Sequence, residues 1–233
     1  MKKLSLILLA AMLALSLAAC GNSNSQTSDR TGTTSEDAHS QSRQETDSKD
    51  QTNTATTDNN SNILVAYFSL AGEQYGVGVI EEGNTSIIAH MIAEQTGADL
   101  FEIEAATPYP EKHSELLEVS QKERSENARP EIVGTVENMS DYDTIFIGYP
   151  NWWGDMPMIV YNFLESYDFS GKTVIPFCTH GGSGLSRTES TIKDITGATM
   201  LDGFAISGET AQNDRERSKN EVNEWLSDIK FAK

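Results

Sequence analysis

Cysteine and histidine are scarce in this sequence: two Cys, at positions 20 and 178, and four His, at 39, 90, 113 and 180, among 233 residues. That supply excludes a disulfide framework and offers no spaced ligand set for zinc. Positive charge is also short, with 17 Lys and Arg against 35 Asp and Glu and a net charge of −18. A chain of that sign is repelled by phosphate backbones, so sequence-independent nucleic-acid binding is excluded, and anionic membrane surfaces are disfavoured for the same reason. Hydrophobic residues make up 37% and aromatic residues 8%, too lean a supply for 233 packed residues. Part of the chain therefore lies outside any core.

The one long apolar run is N-terminal. Lys2 and Lys3 precede a run from Leu4 to Ala19, too short to span a bilayer comfortably but suited to a secretory signal peptide. It ends Leu17-Ala18-Ala19-Cys20-Gly21, which resembles a bacterial lipoprotein processing site. The resemblance implies cleavage before Cys20, a lipid on its thiol, and an extracytoplasmic chain anchored to the bacterial cytoplasmic membrane. The alternative is an ordinary cleavage site with a cysteine beside it. With Cys20 lipidated, Cys178 has no partner and reads as a packed thiol at the end of a buried strand.

Residues 20–61 read as a polar tether. Of the 41 residues after Cys20, 26 are Ser, Thr, Asn or Gln, and Ala38 and Ala55 are the only apolar side chains. Such a segment cannot bury a core.

From residue 62 to 233 the pattern changes to alternating strands and helices. Ile63 to Phe68 is a continuous apolar run, as expected of a strand covered on both faces. Helical spacing over Thr85–Thr96 ends at Gly97, and Asp99–Glu104 reads as a strand. Further strands are expected at Thr144–Gly148, Thr173–Cys178 and near Thr199–Ser207. Further helices are expected at Met158–Tyr167 behind Pro157, near Thr188–Ile195, and at Asp214–Ile229, whose Val222, Trp225, Leu226 and Ile229 form one stripe. The charged stretch Tyr109–Arg129 reads as a solvated helix and loop. Five strands alternating with helices predict an α/β fold with a doubly wound parallel sheet in three layers, α/β/α. In such sheets ligands bind beyond the carboxyl ends of the strands.

Three strand ends carry unusual chemistry. Ser69 follows the first strand, and after an excursion from Glu73 to Glu82 comes Gly83-Asn84-Thr85-Ser86 at a helix start, where hydroxyls and free amides suit an anion. The alternative there is simple capping by Asn84 or Thr85. After the third strand, Pro150-Asn151-Trp152-Trp153-Gly154 places two adjacent tryptophans in a turn, and both cannot enter one core, so one is free for a flat ligand. After the fourth, Thr179-His180-Gly181-Gly182-Ser183-Gly184 allows close backbone approach. His-Gly-Gly is similar to the oxyanion loop of esterases, but no Gly-x-Ser-x-Gly elbow occurs in the chain.

Together, Tyr67-Phe68-Ser69 with Gly83-Asn84-Thr85, Gly148-Tyr149-Pro150-Asn151-Trp152-Trp153, and Thr179 to Gly184 resemble the three flavin-binding loops of the flavodoxin-like proteins. The resemblance covers essentially all of residues 62–233 and implies strand order 2-1-3-4-5. It further implies that Ser69, Asn84 and Thr85 hold the phosphate of FMN, that residues 150–154 flank the isoalloxazine, and that residues 179–184 meet its polar edge. The small electron carriers of that type run directly from the serine to Gly-Asn-Thr, whereas here Glu73–Glu82 is inserted. Tyr75 within it either folds over the flavin or packs outside, and the soft, glycine-rich segment favours the outside. Asp194 to Thr199 resembles the signal for covalent flavinylation of threonine, with the aspartate one residue too close, and reads better as a turn.

The implied function is a membrane-tethered FMN protein in electron transfer or flavin-dependent reduction, exchanging electrons with a redox protein, a quinone or a reduced nicotinamide. The alternative is a non-redox lipoprotein binding module on the same fold. No metal and no nucleic acid enters either reading.

Overall fold

The structure, a computed structural model, describes residues 62–231. The expected signal segment 1–19, Cys20 and the polar stretch 20–61 lie outside the described residues. Among the described residues no helix is long and apolar enough to cross a membrane.

The first strand, β1 (Ile63–Tyr67), alternates its side chains between two cores. Leu64, Ala66 and the following Phe68 enter one buried cluster, and Val65 and Tyr67 enter the other. The strand is therefore apolar at every position because both faces of the sheet are covered. The same division holds along β5 (Thr144–Pro150), where Ile145, Ile147 and Tyr149 face one cluster and Phe146 the other. Helix α3 (Met158–Ser166) supplies Ile159, Val160, Phe163 and Leu164 to the first cluster, joined by Ile192 of α4 (Thr188–Thr196). Helix α1 (Asn84–Thr96) supplies Ile87, Ile88 and Ile92 to the second, joined by Val222, Trp225 and Leu226 of α6 (Arg215–Asp228).

With β4 (Asp99–Glu102), β6 (Thr173–His180) and β7 (Thr199–Met200), the sheet runs β4-β1-β5-β6-β7, every pairing parallel. A further strand, β8 (Phe204–Ser207), also pairs with β6 in parallel. The order is the expected 2-1-3-4-5, with the fifth strand in two pieces. The break has a cause in β6. β7 pairs with Thr173 and Val174, β8 pairs with Phe177 to His180, and Pro176 between them has no N–H to offer the ladder. The edge chain leaves the sheet at Leu201 and rejoins it after Gly203.

Two other elements differ from expectation. The C-terminal helix is preceded by a short helix, α5 (Gly208–Asn213), capped by the Ser207 side chain accepting from the Thr210 amide. Asp214 then caps α6 by accepting from the Arg217 amide. The stretch from Glu73 to Glu82 is ordered as an antiparallel hairpin, β2 (Gly72–Gln74) with β3 (Gly78–Ile80). The charged crossover contains α2 (His113–Glu126), of which only Leu116 and Ser120 are buried, in keeping with a solvated helix.

Close packing across the sheet centre sets one strict requirement. A Cβ on Gly148 in β5 would lie only 2.1 Å from Cζ of the Phe177 ring of β6. Gly148→Ala should therefore lower the stability of the domain by about 1–3 kcal/mol or more. Denaturant unfolding followed by circular dichroism measures this; an unchanged midpoint would contradict the packing described.

Candidate functional site

Because all strands of the main sheet are parallel, their carboxyl ends meet along one edge of it, and there a cleft of about 370 Å³ opens. That is within the roughly 300–1,000 Å³ typical of small-molecule and cofactor sites. Ten of the residues singled out from the sequence line it: Asn84, Pro150, Asn151, Trp152, Trp153, Gly154, Thr179, His180, Gly181 and Ser183. Ser69, Thr85, Gly182 and Gly184 sit outside the lining.

Asn151 fastens two of the loops together. Its Nδ2 donates to the Gly184 carbonyl (2.7 Å) and to Ser186 Oγ (3.2 Å), while its Oδ1 accepts from the Gly154 amide (3.0 Å). One side chain thus holds the loop after β5 against the loop after β6, which positions everything between them.

The two tryptophans have different surroundings. Trp152 packs edge-on against Phe68 and Tyr109, each with ring centroids 5.6 Å away. Trp153 is 42% exposed and has a left-handed backbone with φ of 58°, an uncommon conformation for so bulky a residue. Its indole Nε1 donates to Ser120 Oγ on α2 at 3.1 Å. The strained backbone and the outside tether together hold a large flat ring on the wall of the cleft.

At the other end of the cleft lies the start of α1. The Ser86 amide donates to Ser69 Oγ (3.0 Å) and the Ile87 amide to the Gly83 carbonyl (3.3 Å). Among the described residues, no acceptor takes the amides of Asn84 and Thr85. Helix N-termini with open amides attract anions. The Asn84 Oδ1 is buried there with no hydrogen-bond partner, a cost of about 1–3 kcal/mol unless a ligand or water meets it. Thr85, 1% exposed, uses its hydroxyl on that of Thr179 at 2.8 Å, joining α1 to β6 behind the cleft.

His180 accepts from the Gly182 amide at Nδ1 (2.9 Å), so the neutral ring carries its proton on Nε2. Burial lowers its pKa from the ordinary histidine value and favours that neutral form. Cys178 is fully buried and its thiol donates to the Gly184 carbonyl. Burial, with a smaller contribution from Glu189, pushes it up to about 12, so it packs as an unreactive thiol. Among the described residues no cluster of His, Cys, Asp or Glu could hold a metal ion, and no Lys or Arg lines the cleft.

The cleft also contains residues that strand-end reasoning did not reach. Gln74 and Tyr75 come from the hairpin, and His113, Leu116, Leu117 and Ser120 from α2. Gly208, at the start of α5, completes the wall. Gly208 directly follows the last strand, so it lies at a strand end like the other loops of the cleft. The α2 residues had no local pattern to single them out.

A family model for flavodoxin matches residues 62–229. The chain belongs to the flavodoxin family. Among solved structures it is similar to a "putative flavoprotein" from Bacteroides eggerthii, at 31% identity over 72% of this chain and 96% of that one, with a TM-score of 0.58. A second "putative flavoprotein", from Bacteroides uniformis, shares 31% identity over 71% of this chain and 97% of the other, with a TM-score of 0.55. No curated protein matches the chain.

In this flavodoxin domain the Thr85–Thr179 hydroxyl pair ties helix to sheet at the cleft floor, where Thr179 is part of the lining and Thr85 lies behind it. Asp194–Thr199, the stretch resembling a flavinylation signal, is remote from the cleft: Gly197 caps α4 in a left-handed conformation, and Thr199 pairs with Thr173 at the amino end of β6. Thr85→Val keeps the shape of the side chain but leaves the buried Thr179 hydroxyl without its partner. It should cost about 1–3 kcal/mol in denaturant unfolding. No loss would mean that the hydroxyl pair contributes nothing to joining helix and sheet.

Proposed function

We propose that this chain is an extracytoplasmic, membrane-tethered FMN protein that transfers electrons or reduces a substrate through its flavin. One observation carries the reading: the cleft is an aromatic wall at one end and an unmet polar cradle at the other. The donor set suits FMN at each point. The open amides of Asn84 and Thr85 at the head of α1 match a phosphate, and they do so without any lysine or arginine. The orphaned Asn84 Oδ1 is an acceptor, as a ribityl hydroxyl requires. Trp153 offers a face to the isoalloxazine, and Gly181 and Ser183 bring backbone close to its polar edge. Trp152, held by Phe68 and Tyr109, supports the loop that presents Trp153. His180 lines the same cleft as a neutral ring with its proton on Nε2.

Bound FMN supplies one- and two-electron chemistry, and the protein sets its position and electrostatics. Residues 62–233 hold 28 acidic and 12 basic residues, a net −16. That field opposes added negative charge at the site and so favours a low reduction potential, of use in donating electrons to a redox protein or a quinone. A reduced nicotinamide as electron source would meet no Lys or Arg among the described residues that line the cleft. Export and a lipid on Cys20 would place the domain outside the cytoplasmic membrane, and 41 polar residues behaving as a flexible chain would give it a reach of roughly 35 Å.

The test is a titration of the full chain with FMN, following flavin fluorescence. Quenching with a micromolar or tighter Kd is expected, and Trp153→Ala should weaken binding by about 1 kcal/mol, roughly fivefold. A chain that is folded by circular dichroism yet leaves FMN fluorescence unchanged would overturn the proposal and leave a binding module on a flavodoxin fold.

A further inference from the structure

The inserted hairpin, like α2, lines the cleft without belonging to any of the three strand-end loops. Its tip holds Tyr75, 72% exposed, beside Gly76 and Gly78, both with positive φ. An exposed tyrosine at a glycine-rich tip would ordinarily be free to wander, yet here the base and tip of the hairpin are both held. At the base, the Glu73 amide donates to the Glu111 carbonyl (2.7 Å), and Glu73 Oε2 accepts from the His113 amide at the first residue of α2 (3.0 Å). Gly72 presses so close to this point that a Cβ there would lie 2.7 Å from the Glu111 carbonyl. A carboxylate at the N-terminus of a 14-residue helix is favoured by the open amides and the dipole.

At the tip, the Tyr75 ring lies 6.1 Å from the His113 ring on one side. On the other side it occupies the space that a side chain at position 181 would need: a Cβ on Gly181 would be 2.8 Å from Tyr75 Cδ1. Val77 reaches further, to within 3.6 Å of the place a Cβ on Gly208 would take, next to the Asn84 carboxamide. The hairpin thus crosses the rim of the cleft from α2 to the loop after β6 and on to the head of α5. Segments more than 100 residues apart in the chain are fitted to each other there, while most of the Tyr75 ring remains uncovered by protein.

We propose that Tyr75 is a cofactor-binding residue, a second aromatic wall of the flavin site, and that Glu73 and Gly181 are the positioning residues that seat it. This rests on the FMN reading above. Among the described residues, the neighbouring His113 ring and Gly181 leave the tyrosine largely uncovered, and it lines the same cleft as Trp153. A flat ligand held against Trp153 would cover the tyrosine and gain an aromatic contact. Glycine at 181 has a specific reason on this account, since any side chain would displace the ring.

The experiment measures FMN Kd by fluorescence quenching for the full chain and four variants: Tyr75→Ala, Tyr75→Phe, Gly181→Ala and the double variant Tyr75→Ala/Gly181→Ala. Tyr75→Ala should raise Kd roughly two- to tenfold, and Tyr75→Phe, which keeps the ring, should restore wild-type binding. Gly181→Ala should weaken binding by displacing the ring, and the double variant should be no weaker than the worse single one, because the two changes remove the same contact. Ligand-free melting temperatures should be unchanged in Tyr75→Ala, since its side chain is mostly in solvent. Wild-type Kd in Tyr75→Ala, with the parent chain binding FMN, overturns the role of Tyr75 alone. Failure of the parent chain itself to bind FMN overturns both this proposal and the reading beneath it.

Discussion

A parallel sheet covered on both faces has no room for polar chemistry along its strands. The rest of the molecule depends on that constraint. Val65, Ala66, Phe146, Ile147, Ile175 and Phe177 are fully buried, and each is committed to one of the two cores. Polar and flexible residues are confined to the strand ends, and since the strands are parallel, one edge of the sheet collects them. The cleft between Asn84, Trp153 and His180 follows from topology before any ligand is considered.

Charge acts within that frame. The domain is strongly acidic, and among the described residues no Lys or Arg lines the cleft, so an anion held there depends on fixed backbone dipoles. The head of α1 provides them because Gly83 carries no side chain to cap the helix and Ser69 takes the Ser86 amide instead of an earlier one. Amides satisfied by neighbouring side chains would have no capacity left for a phosphate. The unmet Asn84 Oδ1 nearby is consistent with a region shaped for a ligand and not for stability alone.

The fold was legible in the sequence because the apolar runs at 63–68, 144–148 and 173–178 have the unbroken character that double burial requires. The strand-end rule then pointed to ten residues that line the cleft. What remained hidden has physical reasons. Pro176 divides the fifth strand through a missing N–H, an effect visible only once its neighbour in the sheet is known. Leu116, Leu117 and Ser120 sit on a helix whose overall pattern is that of a wet surface, and they reach the cleft through tertiary placement. Residues 72–80 hold Tyr75, Val77, Val79 and Ile80, but Gly72, Gly76 and Gly78 among them mask the strand pattern, and the hairpin is held by Glu73 at the entry to α2, a contact across 40 residues. The glycines suggest a soft segment with Tyr75 packed outside, yet contacts from elsewhere in the chain order the hairpin and Tyr75 lines the cleft.

The central claim is that one cleft, built from the head of α1, the hairpin and the loops after β5 and β6, holds FMN. Hydrogen–deuterium exchange of the full chain with and without FMN tests it most directly, because it reads the amides themselves. Slowed exchange is expected together at Asn84 and Thr85, across residues 72–80, and at residues 151–154 and 180–184, with the amino ends of the strands unchanged. Slowed exchange confined to another surface, or FMN binding that leaves the Asn84 and Thr85 amides unprotected, would contradict the account.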